Sequence, residues 1–120
     1  MQYTRHNTYP VDQILPMLAY YGPKKVEFDD VVVSVKSQRY EVFTKSLKCA
    51  TCGIVGTFFA TEKIHSSKTY HFNLYAIHED GSEVLMTKDH IIPRSKGGRD
   101  ALNNYQTMCY TCNQEKKDDV

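Results

Sequence analysis

The cysteines constrain this chain more than any other feature. Among its 120 residues are Cys49, Cys52, Cys109 and Cys112, two CxxC pairs with none left over. A CxxC knuckle lets two thiolates reach one ion, and two knuckles close a tetrahedral site to water. Zinc suits such a set because it is borderline-soft and brings no geometric preference of its own. Met1 to Pro10 is polar and lacks the apolar stretch of a secretion signal. In that context paired knuckles favour a four-cysteine zinc site, with two disulfides or a thiol-redox pair as the competing readings. A closed site of this kind is structural rather than catalytic. The long segment between the knuckles would be held at both ends.

The length fits one domain, and a chain this small often needs a staple to supplement its core. Composition is that of a globular protein, 41% hydrophobic and 24% charged, without tryptophan. No apolar run approaches the roughly 20 residues of a membrane span, so a cytoplasmic protein with no membrane partner is the expectation. The net charge of +1 does not announce a nucleic-acid binder. Locally, however, Lys88, Arg94, Lys96 and Arg99 face the single acid Asp89. Such a segment reads either as a phosphate-facing loop or as an ordinary solvated one.

Met1 to Pro10 reads as a loose arm. Ile14, Leu15, Leu18 and Ala19 have helical spacing, but Pro16 interrupts them, so a short helix is expected from near Leu15 to Gly22-Pro23. Val31 to Val35 is β-branched and reads as a strand. Ser37 looks like an N-cap for a helix carrying Tyr40, Phe43 and Leu47 on one side, and a hairpin through Lys36 to Gln38 is the alternative. Val55 to Glu62 reads as a strand. Tyr70 to Ile77 alternates, an Asp-Gly turn follows at Asp80-Gly81, and Val84 to Lys88 returns. Asp89 and His90 thus end a hairpin strand, held by a rigid element yet open to solvent. The loop Ile91 to Asn104 contains Pro93, Gly97 and Gly98 and reads as irregular. Tyr105 to Met108 suggests a short strand, and Cys112 a final helix whose last residues fray.

The run Asp89-His90-Ile91-Ile92-Pro93-Arg94-Ser95-Lys96-Gly97-Gly98, then Asn104, then Cys109-Tyr110-Thr111-Cys112-Asn113 and Lys116, resembles the HNH family of the His-Me finger nucleases. Counting the first knuckle and the Phe72 to Lys88 hairpin, the resemblance covers roughly the C-terminal two thirds, in the style of compact phage and bacterial members. It implies a ββα-metal core with a structural four-cysteine zinc site over residues 37–120; residues 1–36 carry no such resemblance and read from their own pattern as a small helix/strand extension, so that the whole is expected to be α+β. The resemblance further implies that Asp89 and Asn113 hold a catalytic Mg2+ or Mn2+, that His90 is the general base, and that Asn104 fixes the loop and orients the histidine. The family name would put histidine at position 113, and asparagine is a familiar variant.

The chemistry is coherent beside the resemblance. A neutral imidazole, with an ordinary pKa of about 6.5, can accept a proton from water at physiological pH. A hard divalent ion held by two oxygens keeps positions for water and phosphate. Arg94, Lys96 or Lys116 could hold flanking phosphates of a DNA partner. Each residue also has a plain structural reading: Asp89 as a loop cap, Asn113 as an N-cap, Lys116 on a solvated face. His6, His65, His71 and His78 read as non-catalytic, and the tyrosines with Phe58, Phe59 and Phe72 read as core. The expectation is a metal-dependent DNA endonuclease. A zinc-scaffolded binding module without catalysis, or a nuclease that needs a partner protein for DNA affinity, are the alternatives.

Overall fold

The computed structural model describes residues 2–21 and 24–117. The expected helix stop at Gly22-Pro23 and the expected fraying of the last residues lie outside that range. Seven strands form one mixed sheet whose centre is an antiparallel pair, β4 (Gly56–Lys63) and β5 (Tyr70–Ile77). Phe72, Leu74 and Ala76 project from β5 into the main core and are fully buried, as their alternation predicts. The other face is covered as well. There Glu62, 3% exposed, accepts hydrogen bonds from Asn73 Nδ2 at 2.9 Å, Arg5 Nε at 2.7 Å and the Tyr75 hydroxyl. Three donors, one of them a cation, are what make the burial of this carboxylate tolerable.

The cation of that ion pair comes from the segment expected to be a loose arm. Thr4–Pro10 is instead strand β1, antiparallel to β4. Only Tyr9 of β1 is buried, so the strand has no apolar alternation to betray it. It is held by backbone pairing and by Arg5, which also reaches Glu83. Helix α1 (Val11–Tyr21) follows at once and runs through Pro16 instead of starting beside it. An interior proline costs roughly 3 kcal/mol. Ile14 and Leu18, one turn apart and buried, each contribute about 1.5–3 kcal/mol of burial, which offsets that cost.

Strands β2 (Lys25–Phe28) and β3 (Val31–Ser34) form a hairpin of which only the second strand was expected. Its turn is Asp29-Asp30, with φ of 51° and 68°, the backbone of a type I′ turn made without its usual glycine. The Asp29 carboxylate accepts from the Tyr9 hydroxyl and from Asn7 Nδ2, tying the turn to β1. β3 lies parallel to the start of β5. Ser37 then caps α2 (Gln38–Lys45), its side chain accepting from Arg39 N, so the helix and not the hairpin forms here. Tyr40, buried on α2, secures the junction: its hydroxyl accepts from Phe72 N at 3.0 Å and donates to Ser34 O at 3.3 Å.

The remaining elements carry the residues that the motif singles out. β6 (Glu83–His90) begins as the antiparallel partner of β5, but only through Leu85; from Met86 to His90 it pairs with β7 (Tyr105–Cys109). The β5 edge is thus shared, its start taken by β3 and its end by β6, and the second half of β6 leaves the central sheet. Helix α3 (Tyr110–Lys116) follows β7 directly. It starts at Tyr110 rather than Cys112 because Cys109 Sγ accepts from Cys112 N and serves as the cap.

The first knuckle sits on a turn after α2, closed by Cys49 N to Ile54 O and Gly53 N to Cys49 O, and joined to β7 by Ala50 N to Thr107 O. This brings Cys49, Cys52, Cys109 and Cys112 together, their sulfurs all within 4.8 Å of one another. Cys52 and Cys109 sulfurs are 3.8 Å apart. A disulfide needs about 2.05 Å, whereas four thiolates about 2.3 Å from a tetrahedral ion stand about 3.8 Å apart. The arrangement suits one structural metal ion such as zinc. Burial first, and then the neighbouring sulfurs, push the Cys112 thiol far above its ordinary range. Four crowded thiolates need a cation to exist together.

Two outcomes follow. Tyr40→Phe removes the hydroxyl that bridges Phe72 N and Ser34 O where β3 meets β5, and should cost about 1 kcal/mol in a urea melt. Cys109→Ser, or chelation of the native chain, should release one metal per molecule and melt the α3 region, read by metal analysis and circular dichroism. Unchanged metal content in the variant would refute the staple.

Candidate functional site

The loop from Ile91 to Asn104 folds back on its own beginning. Pro93 O accepts from Lys96 N and Gly98 N, and Gly97 N donates to Arg94 O. Gly97 has φ of 88°, and a Cβ on Gly98 would lie 1.7 Å from Ile92 O, so neither position accepts another residue without rearrangement. Asn104, 9% exposed, closes the loop. Its Oδ1 accepts from Ile92 N at 2.9 Å, and its Nδ2 donates to Ile92 O at 3.1 Å and Arg99 O at 2.9 Å. Its backbone carbonyl accepts from Ile91 N. Asn104 acts on the loop and does not line the cleft described next.

That cleft, about 290 Å³, lies between the end of β6, the Pro93–Ser95 turn and α3, and is lined by Asp89, His90, Asn113, Lys88, Arg94 and Lys116 among others. The structure therefore brings together the three side chains that the sequence singled out for chemistry. Each has one end tethered and one end without a partner among the described residues. Asp89, 6% exposed, uses Oδ2 to accept from Gln106 Nε2 at 3.0 Å and to pair with Lys116 Nζ at 3.3 Å, which leaves Oδ1. His90 is tied through Nε2 to Asp100 Oδ1 at 2.7 Å and packs edge-on against Tyr105, which leaves Nδ1. Asn113 donates from Nδ2 to Thr87 Oγ1 at 2.9 Å, which leaves Oδ1.

The cations around the cleft differ in their engagement. Lys116 is largely buried, its ammonium held by Asp89 and by His90 O at 2.9 Å, so it serves the site's interior before any flanking phosphate. Arg94 is mostly exposed and lies 3.7 Å from Asp100. Lys88 sits over the Tyr105 ring. Lys96 is exposed on the loop and does not line the cleft. Hydrogen bonding to His90, and then the charges of Arg94 and Lys88, hold the Asp100 carboxyl below its ordinary value. An anionic carboxylate against the imidazole favours a single ring orientation and tautomer. Of the other histidines, His71 has its pKa lowered by burial and then by the charges of Arg39 and Lys25; it lies on β5, away from this cleft.

Sequence reasoning missed Asp100, Gln106 and Thr87. Gln106 and Thr87 are legible only from strand register, since Asp89 pairs with Gln106 and Thr87 with Met108 across β6 and β7. Asp100 carried no local signal, because its contact depends on how the loop folds back. The carboxylate oxygen and the amide oxygen left free, beside one unpartnered imidazole nitrogen, form a donor set suited to a hard divalent ion and a base.

No curated protein and no solved structure matches the chain. Residues 78–120, from the turn before β6 through the cleft and α3, match the family described as HNH endonuclease, so the likeness carried by the motif holds across this part of the chain.

Proposed function

We propose that the chain is a metal-dependent DNA endonuclease whose β6, β7 and α3 form a ββα-metal core stapled by a four-cysteine zinc site. The observation that carries this reading is the common pattern of Asp89, His90 and Asn113: three side chains on one cleft, each pinned at one atom and free at another. A divalent ion, Mg2+ or Mn2+, fits the free oxygens of Asp89 and Asn113; when bound it supplies Lewis-acid stabilisation of the phosphate and the leaving oxygen.

The chain's own residues supply the rest. His90 Nδ1 accepts a proton from the attacking water, whose oxygen forms the new bond to phosphorus while the bond to the 3′ oxygen breaks. The 3′ oxygen leaves with the electrons of the broken bond and takes a proton from solvent water to become a hydroxyl, and the phosphate stays on the 5′ side. Asp100 holds the imidazole from behind, as a carboxylate behind a catalytic histidine does elsewhere. Arg94 and Lys88, at the cleft's rim, suit flanking phosphates and would fix register without reading sequence. Asn104 keeps the loop, and with it His90, in place.

The purified chain should nick or linearise supercoiled plasmid in Mg2+ or Mn2+. His90→Ala should lower the rate by about 10²–10⁴-fold while leaving the melting temperature unchanged. DNA retention without strand breakage across metals would mark a binding module instead, and activity that appears only with an added protein would mark a partner-dependent nuclease. Equal cutting by His90→Ala would remove the assigned base.

A further inference from the structure

The asparagine in the cleft poses a chemical problem that an acidic residue would not. A carboxylate presents oxygen at both ends, whereas a carboxamide presents oxygen at one end and an N–H donor at the other. Only the oxygen can ligate a hard cation. If Asn113 holds a metal, something must decide which end faces the cleft.

The surroundings of Asn113 contain such a device. Thr87 lies on β6 opposite Met108 of β7, and its hydroxyl donates its one proton to Met108 O at 2.7 Å. Toward Asn113 the same oxygen can only accept, and it does so from Nδ2 at 2.9 Å. Rotating the amide by half a turn would set Oδ1 against Thr87 Oγ1 with no proton between them. It would also turn an NH2 group into the cleft. A hydroxyl whose proton is already committed thus imposes one orientation on its neighbour.

We propose that Thr87 is a positioning residue that fixes the Asn113 carboxamide with its oxygen toward the cleft and so makes asparagine a metal ligand. The inference rests on the metal-dependent reading above and adds to it a residue that touches neither metal nor substrate. Its effect runs in sequence from strand register to hydroxyl polarity, then to amide orientation, and finally to the donor atom.

Calorimetric titration of Mn2+ into the full-length, zinc-loaded chain without DNA tests it. Thr87→Val keeps the shape and removes the acceptor, and should weaken Mn2+ binding by about tenfold or more, the size usual for a group that orients a ligand. Thr87→Ser should restore the affinity. Asn113→Asp supplies oxygen at both ends, so in that background Thr87→Val should no longer matter. An equal loss with Asn113 and with Asn113→Asp would mean that Thr87 acts only through general packing, and would overturn the proposal. So would wild-type affinity in Thr87→Val. Should Thr87→Val fail to fold, Thr87→Ala carries the same comparison. Failure of the underlying reading looks different: Asn113→Ala would then bind Mn2+ as tightly as the native chain.

Discussion

The last described helix spans two turns, too short to be stable by its own hydrogen bonds, and the proposed chemistry requires it to stay where it is. The sulfur cluster supplies that constraint. Cys109 and Cys112 belong to the start of α3, and Cys49 and Cys52 to a turn that is itself bonded to β7. Through this contact, Asn113 and Lys116 are presented to the end of β6. Without it, the side chains that meet in the cleft would belong to a strand end and a frayed tail.

A second constraint is the change of partner along β6. Three of its residues pair with β5 and the following five with β7. The early part anchors the strand to a sheet buried on both faces, and the late part is freed to meet the loop and α3. The strand is therefore rigid at its root and accessible at its tip, which is where Asp89 and His90 lie. Rigid support of this kind is what lets side chains hold a fixed geometry in an open site.

How much of this was readable depended on whether a signal was local. The Asp-Gly hairpin, the alternation of β5, the Ser37 cap and the spaced pattern from Asp89 to Lys116 are written within a few residues of the structures they form. The N-terminal strand was not legible, because only Tyr9 among its residues is buried and its hold on β4 is mainly backbone pairing. The β2 strand hid behind an Asp-Asp turn in place of a glycine signal. Helix α1 overrode its proline through tertiary burial of Ile14 and Leu18. At the site, the residues proposed to react were legible as a motif. Their supports were not, since Thr87, Gln106 and Asp100 become neighbours only once register and loop closure are known.

The pairing of Arg5 with Glu62 carries its own consequence for the opening of the chain. Glu62 lies beneath the sheet's second face with two neutral donors and one cation, and that cation arrives from the first strand while also gripping Glu83 at the root of β6. Any trimming or fusion that pulls the strand off would leave a lone negative charge in the interior, a far heavier loss than its few buried atoms suggest. The leading residues thus secure the middle of the polypeptide at Glu62 and Glu83, and engineering of this scaffold should begin upstream of Arg5, not within the strand.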